Sequence, residues 1–182
     1  MAGKMHLLVL RQTGHVLAAY CKIPGGNDPA LDEICGADFT VGSVRTRGAP
    51  DTPLAVPVAR DQLELRSAPR DDAVLANPRG YVADGSTATP IVGAPPGLTV
   101  TLSSSSISAG FTEKTFVALN RSDDGSERRL ALAPATTPFS PMTLKTSPAA
   151  AVDSAISAGG VTYDVLIALP GRPLILTRIV AT

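Results

Sequence analysis

The feature that most constrains this chain is a set of apolar runs that no charged residue interrupts. They occupy residues 7–10, 16–20, 116–119, 165–169 and 174–176. A strand with one face in water alternates apolar and polar residues, whereas a strand covered on both faces is apolar throughout. These runs therefore predict strands that need a cover over their second face.

Short turns join the apolar runs into three hairpins. Residues 6–10 and 16–20 flank a turn at 12–15, residues 116–119 and 130–133 flank one at 122–126, and residues 165–169 and 174–180 flank one at 170–173. Each turn contains a glycine, which readily adopts the positive φ that tight hairpin turns need. The sequence predicts a mostly β fold: an antiparallel sandwich or barrel-like sheet of three or more hairpins.

Two short helices are predicted in addition to the strands. Asp28 precedes Pro29, acidic residues fill the first turn, and Gly36 follows the end, a pattern typical of a helix near residues 29–35. A proline and a glycine frame a second helix near residues 148–158 in the same way.

The rest of the chain suggests one domain with a long connection. Further strand candidates are residues 39–45, 54–58, 63–65 and 98–102, of which 54–58 contains a proline and is expected at an edge. Residues 68–96 hold few large apolar side chains and predict a loop-rich surface excursion. A serine-rich stretch makes residues 103–110 a possible joint. We expect a single β-rich domain over residues 1–182.

The charge balance limits the partners that the chain can be expected to bind. Lysine plus arginine and aspartate plus glutamate number 16 each, so the formal net charge is zero. Nucleic acids and anionic membranes attract proteins with a basic excess, and neither partner is expected here. No apolar run reaches the ~7–15 residues of a signal peptide or the ~20 of a membrane helix. We expect a cytoplasmic protein, or part of a particle assembled inside the cell.

The potential metal ligands are poorly spaced for a metal site. His6, His15, Cys21 and Cys35 lack the close pairs typical of zinc sites. A disulfide between the two cysteines is disfavoured in a reducing compartment. The acidic turn at residues 122–126 lacks the bidentate glutamate of a calcium loop. No metal and no cofactor are expected.

No catalytic motif is evident, and we do not expect an enzyme. The closest approach to a catalytic cluster is Asp71 and Asp72, which lie near Arg66, Arg70, Arg79 and Asp84 in the sequence. Acids beside arginines on a polar loop usually form a surface ion-pair network. A hydrolase that uses Asp71 or Asp72 is the third of three functional hypotheses.

The apolar strands carry the first functional hypothesis, a structural or assembly component that contacts itself or other protein subunits. The residues expected at such an interface are Leu8, Leu10, Leu17, Leu166, Ile167, Ile175 and Ile179. A contrasting explanation places small residues on an exposed outer face: Ala18, Ala118, Ala131 and Ala168. The second functional hypothesis is a module that binds a small molecule or peptide in an apolar pocket, with residues 68–96 as its lid or recognition loop.

Overall fold

A computed structural model describes residues 3–21, 25–42, 53–93, 101–102, 106–108, 115–122, 128–133, 142–146 and 160–180. These residues form fourteen β-strands, two α-helices and two 3-10 helices. The strands are β1 (Lys4–Leu10), β2 (Val16–Cys21), β3 (Asp38–Gly42), β4 (Ala55–Ala59), β5 (Leu63–Pro69), β6 (Tyr81–Asp84), β7 (Thr87–Pro90), β8 (Thr101–Leu102), β9 (Ser106–Ser108), β10 (Thr115–Arg121), β11 (Arg128–Ala133), β12 (Met142–Thr146), β13 (Thr162–Ala168) and β14 (Ile175–Val180). The α-helices are α1 (Leu31–Cys35) and α2 (Asp72–Ala76), and the 3-10 helices are Arg60–Gln62 and Pro78–Gly80.

The strands form four antiparallel sheets. A three-stranded sheet has the order β2-β1-β5, a seven-stranded sheet has the order β14-β13-β10-β11-β12-β9-β8, and β3-β4 and β6-β7 are separate hairpins. The three predicted hairpins are β1-β2, β10-β11 and β13-β14, each paired antiparallel. The prediction of a mostly β, antiparallel fold is therefore confirmed.

An apolar core, here called the inner core, lies between the three-stranded and seven-stranded sheets. Its buried residues are Leu8, Leu10, Leu17, Cys35, Val41, Val56, Val58, Leu63, Phe116, Ala118, Leu166 and Ala168. β1, β2 and β5 supply one side, β10 and β13 supply the other, and β3, β4 and α1 complete it. Each large side chain removed from water here contributes about 1.5–3 kcal/mol.

A second apolar core, here called the outer core, covers the other face of the three-stranded sheet. Its buried residues are Met5, Leu7, Val9, Val16, Ala68, Val74 and Ala83. Because successive side chains of a strand point to opposite faces, β1 supplies Leu8 and Leu10 to the inner core and Leu7 and Val9 to the outer core. α2 and β6 supply the cover through Val74 and Ala83.

The cover corrects the expectation of a loop-rich surface excursion at residues 68–96. That stretch contains α2, a 3-10 helix and the β6-β7 hairpin, and Val74 is completely buried. It was misjudged because the sheet it covers is already apolar, so a few side chains suffice. Val74 and Ala83 are buried there, and Leu75 and Tyr81 pack against them while partly buried. Ala118 and Ala168 are likewise buried in the inner core rather than on an outer face.

The β1-β2 turn is joined directly to this cover. The Gly14 carbonyl accepts a 2.7 Å hydrogen bond from the Ala83 amide, and Arg66 donates a 2.6 Å bond from Nη1 to the Ala83 carbonyl. Gly14 has φ of 75°, and a Cβ atom added there would lie 2.9 Å from the Ala83 carbonyl oxygen. The turn therefore needs glycine both for its backbone conformation and for its close approach to β6.

The first predicted helix is shorter than expected and the second is not described. α1 begins at Leu31, with Ala30 at the N-cap position, and ends before Gly36, whose φ is 54°. Glu33 stabilises its start by accepting a 2.8 Å hydrogen bond from the Ala30 amide. Residues 148–158 lie outside the described residues, and the other short α-helix that is described, α2, was not predicted.

The remaining strand predictions were largely correct within the described residues. β3, β4 and β5 fall at the predicted places, and Pro57 lies in the β3-β4 hairpin opposite Thr40. β8 covers only 101–102 of the candidate at 98–102, whose first residues are outside the described part. Within the possible joint at 103–110, residues 106–108 form β9. The expectation of one domain stays a prediction.

Replacing Val74 tests whether α2 holds the outer core. Val74→Ala removes two buried methyl groups, so we expect a loss of about 1–3 kcal/mol in the free energy of unfolding. Val92→Ala is the matched control because Val92 is 86% exposed. Chemical denaturation measures both variants, and equal stabilities would contradict the assigned role of α2.

Alanine substitutions at Gly14 and Gly85 distinguish the cost of backbone strain from the cost of the close contact with β6. Gly14 and Gly85 both have positive φ, but a Cβ atom at Gly85 meets nothing within 4 Å. Each substitution carries the strain of a left-handed backbone, about 1–2 kcal/mol. We expect Gly14→Ala to destabilise the protein more than Gly85→Ala in thermal unfolding, and the reverse order would show that the turn does not approach β6 closely.

Candidate functional site

Most of the predicted interface residues are buried within the chain itself. Leu8, Leu10, Leu166 and Ile167 are 0% exposed and Leu17 is 2% exposed, so none of these offers surface to a partner in this conformation. The apolar runs at residues 7–10, 116–119 and 165–169 are buried throughout, whereas residues 18–20 and 174–176 are only half-buried. This part of the interface assignment needs correction. The inner and outer cores supply the cover over β1 from within the chain.

The two remaining predicted interface residues lie on an edge strand. Ile175 and Ile179 are half-buried on β14, the outermost strand of the seven-stranded sheet, where they pair with Ile167 and Tyr163 of β13. Val180, the last residue of the strand, is 53% exposed. Within the described residues, no strand pairs with the outer side of β14, although the two-residue strand β8 approaches it.

A polar network fixes the inner side of β14. The Asp164 carboxylate accepts a 2.7 Å hydrogen bond from Arg178 Nε and a 3.1 Å bond from the Ala55 amide. Asn120 donates a 3.2 Å bond from Nδ2 to the Ala55 carbonyl. Asn120, Asp164 and Arg178 are neighbours across three adjacent strands, so the network joins β14 to β4 by way of β13 and β10. The edge strand is thus held in place by its charged residue.

The four potential metal ligands do not converge. Cys21 is exposed at the end of β2, whereas Cys35 is buried at the end of α1, and both thiols are free. Burial raises the pKa of the Cys35 thiol, which donates a 3.0 Å hydrogen bond to the Leu31 carbonyl. Among the described residues, no group of three or more His, Cys, Asp or Glu side chains is placed to hold a metal ion.

His15 links the turns of the two large sheets. It is completely buried, and its Nε2 donates a 2.6 Å hydrogen bond to the Arg172 carbonyl in the β13-β14 turn. Its Nδ1 lies 2.8 Å from Thr13 Oγ1 and accepts that hydroxyl proton in the neutral ring. Burial lowers the pKa of His15, and the bond to the Arg172 carbonyl opposes this effect in part. The neutral His15 ring therefore joins the β1-β2 turn to the β13-β14 turn.

The carboxylates of the hydrolase hypothesis line a cleft but already have partners. The cleft has a volume of about 430 Å³, and its lining is Met5, Ala68, Pro69, Arg70, Asp71, Asp72, Ser86, Thr87 and Ala88. Asp71 caps α2 by accepting a 2.8 Å bond from the Ala73 amide, and Asp72 accepts a 2.8 Å bond from Arg70 Nε. The lining, within the described residues, contains neither histidine nor cysteine. This cleft has charged as well as apolar walls, so it does not correspond to the apolar pocket of the second functional hypothesis.

Two other charged residues of the predicted cluster also have partners. Arg66 pairs with Glu64 of its own strand, and Arg79 donates a 2.6 Å hydrogen bond from Nη1 to the Gly42 carbonyl.

Most of the acidic turn at residues 122–126 lies outside the described residues. Its first residue, Ser122, donates a 2.9 Å hydrogen bond to the Thr162 carbonyl.

Comparison with known proteins does not assign the chain to a family. No family model matches it, and no curated protein and no solved structure is detectably similar. In the part of the chain that the structure describes, no helix has the length and apolar character needed to cross a bilayer.

The buried, neutral His15 predicts that acid destabilises the fold. The pKa of His15 is lower in the folded chain than in the unfolded chain. Its contribution to the free energy of unfolding is therefore complete above the unfolded pKa of about 6.5. Below that pH the unfolded chain takes up a proton that the folded chain does not, so stability falls by up to about 1.4 kcal/mol per pH unit until the folded pKa is reached. Denaturation at pH 7.5, 6.5 and 5.5 should show a steeper loss for the wild type than for His15→Gln. Parallel profiles would contradict this role.

Proposed function

We propose that this protein is a structural or assembly component that associates with a second copy of itself through the edge of β14. The observation that carries the proposal is the placement of Ile175, Ile179 and Val180 on an outermost strand. An edge strand presents unpaired N–H and C=O groups, which a strand of another chain satisfies by extending the sheet. The apolar side chains then gain the burial that the single chain gives them only in part.

β14 suits this role better than the two edges of the three-stranded sheet, although the two-residue strand β8 approaches it. β5, the outermost strand of the three-stranded sheet, ends in Pro69 and carries Glu64 and Arg66, which are typical guards against edge pairing. β2, at the opposite edge, has α2 and the 3-10 helix Pro78–Gly80 against it. On β14 the charged residue is Arg178, whose guanidinium is held by Asp164 inside the sheet.

A second copy fits this edge for reasons of symmetry and charge. Two β14 strands that pair antiparallel about a two-fold axis form a closed contact, because each strand then presents the same residues to the other. The formal net charge of zero leaves no overall repulsion between two copies. A homodimer is therefore the simplest assembly, and a larger assembly would use further surfaces.

A pair of valine substitutions tests the proposal. Val180 and Val92 are the exposed large hydrophobic residues among those described, at 53% and 86%. Val180→Lys places a charge at the proposed contact, and we expect the dissociation constant to rise at least about tenfold, equivalent to about 1.4 kcal/mol. Val92→Lys makes the same chemical change elsewhere and should leave association unchanged.

Sedimentation velocity over a wide range of protein concentration measures the association, and circular dichroism verifies that both variants fold. A wild-type protein that stays monomeric throughout the range would reject self-association. Equal weakening by the two lysine variants would reject β14 as its site.

A further inference from the structure

Three residues that are distant in the sequence meet beside the three-stranded sheet. His6 on the central strand β1 has Nδ1 at 3.4 Å from Ser67 Oγ on β5 and Nε2 at 3.5 Å from Asp28 Oδ1 in the segment before α1. His6 and Ser67 are cross-strand partners in the β1-β5 register. His6 is 2% exposed, whereas Ser67 is exposed and the Asp28 side chain is 60% exposed.

We propose that Ser67, His6 and Asp28 form a serine-nucleophile site that hydrolyses carboxylic esters. A serine hydroxyl becomes reactive when a histidine accepts its proton and a carboxylate holds and compensates that histidine. The contacts give each residue one of these roles: Ser67 the nucleophile, His6 the general base, Asp28 the positioning carboxylate. Contacts of this kind are often long without substrate and shorten when it binds.

The surroundings of His6 support a chemical role for it. Its Nε2 is buried and makes no hydrogen bond, although Asp28 lies within ion-pair distance. A buried polar atom without a hydrogen bond destabilises a fold by about 1–3 kcal/mol, and such atoms are uncommon in native proteins. A proton on Nε2 faces the Asp28 carboxylate, which leaves the Nδ1 lone pair for the Ser67 hydroxyl proton.

The position of Ser67 gives a substrate access to the nucleophile. β5 is an outermost strand, and Ser67 is exposed on it. An ester can therefore reach the serine from solvent, while His6 remains buried. The segment that contains Asp28 then holds the carboxylate against the far side of the imidazole. The site is separate from β14 and does not depend on self-association.

The reaction proceeds in two balanced steps. Ser67 Oγ bonds to the ester carbonyl carbon as its proton moves to His6 Nδ1, and the bond to the alcohol oxygen breaks as that oxygen takes the proton from Nδ1. Water then bonds to the same carbon and gives a proton to Nδ1, and the carbon–Oγ bond breaks as Ser67 regains the proton. One ester and one water yield one carboxylic acid and one alcohol, and the Asp28 carboxylate stabilises the imidazolium formed in each step.

The test uses p-nitrophenyl acetate as the probe with the full chain. We expect release of p-nitrophenol with an acetyl group found on Ser67 by peptide mass spectrometry, and Ser67→Ala should remove both the acetyl group and most of the rate. Ser86→Ala is the matched control, because Ser86 is an exposed serine in the β6-β7 turn. It should leave the rate unchanged.

Asp28→Asn tests the positioning residue without disturbing a buried group. We expect kcat to fall at least about tenfold, within the usual contribution of general acid–base catalysis, with KM and the melting temperature unchanged. His6→Gln should abolish acetylation of Ser67, and circular dichroism shows whether that variant folds.

Three results would overturn the proposal: no acetyl group on Ser67, a rate retained by Ser67→Ala, or an equal loss in Ser86→Ala. An unchanged kcat in Asp28→Asn would remove Asp28 from the site.

Discussion

The fold depends on burying both faces of β1. This strand is paired on both sides, and from Met5 to Leu10 no residue is more than 2% exposed. Such a strand is stable only if a separate layer covers each face, because its side chains point alternately up and down. The seven-stranded sheet covers one face, and α2 with the β6-β7 hairpin covers the other. The three layers are thus arranged around one short segment near the start of the sequence.

Specific polar contacts fix how these layers meet. His15 joins the β1-β2 turn to the β13-β14 turn, the Gly14 carbonyl joins it to β6, and Asp164 with Asn120 holds the backbone of Ala55 on β4. Apolar cores tolerate many arrangements of similar burial, whereas a buried polar group is stable only where its partner lies at hydrogen-bond distance. These bonds therefore select one arrangement of the layers.

Because the chain covers its own central strands, both proposals place function at the edges of the sheets. β14 keeps an apolar edge that suits pairing with a second copy, while its charged residue is held inside the sheet. β5 carries guarding residues and an exposed serine beside a buried histidine. Assembly and ester hydrolysis would therefore use different edges. No described strand pairs with the outer side of β14, whereas β5 carries guarding residues and a serine that a small molecule can reach.

The sequence alone determined the strands and their hairpins, because apolar runs and the glycines between them act over a few residues. It also indicated that both faces of a strand such as β1 are covered. It could not show that residues 72–90 supply the cover, since Val74 and Ala83 acquire that role only against an apolar sheet. Likewise His6 and Ser67 are 61 residues apart in sequence and became neighbours only through the antiparallel register of β1 and β5. Local patterns fix local structure, whereas contacts between distant residues depend on how the layers pack, and it was this packing that moved the candidate interface from the buried strands to β14.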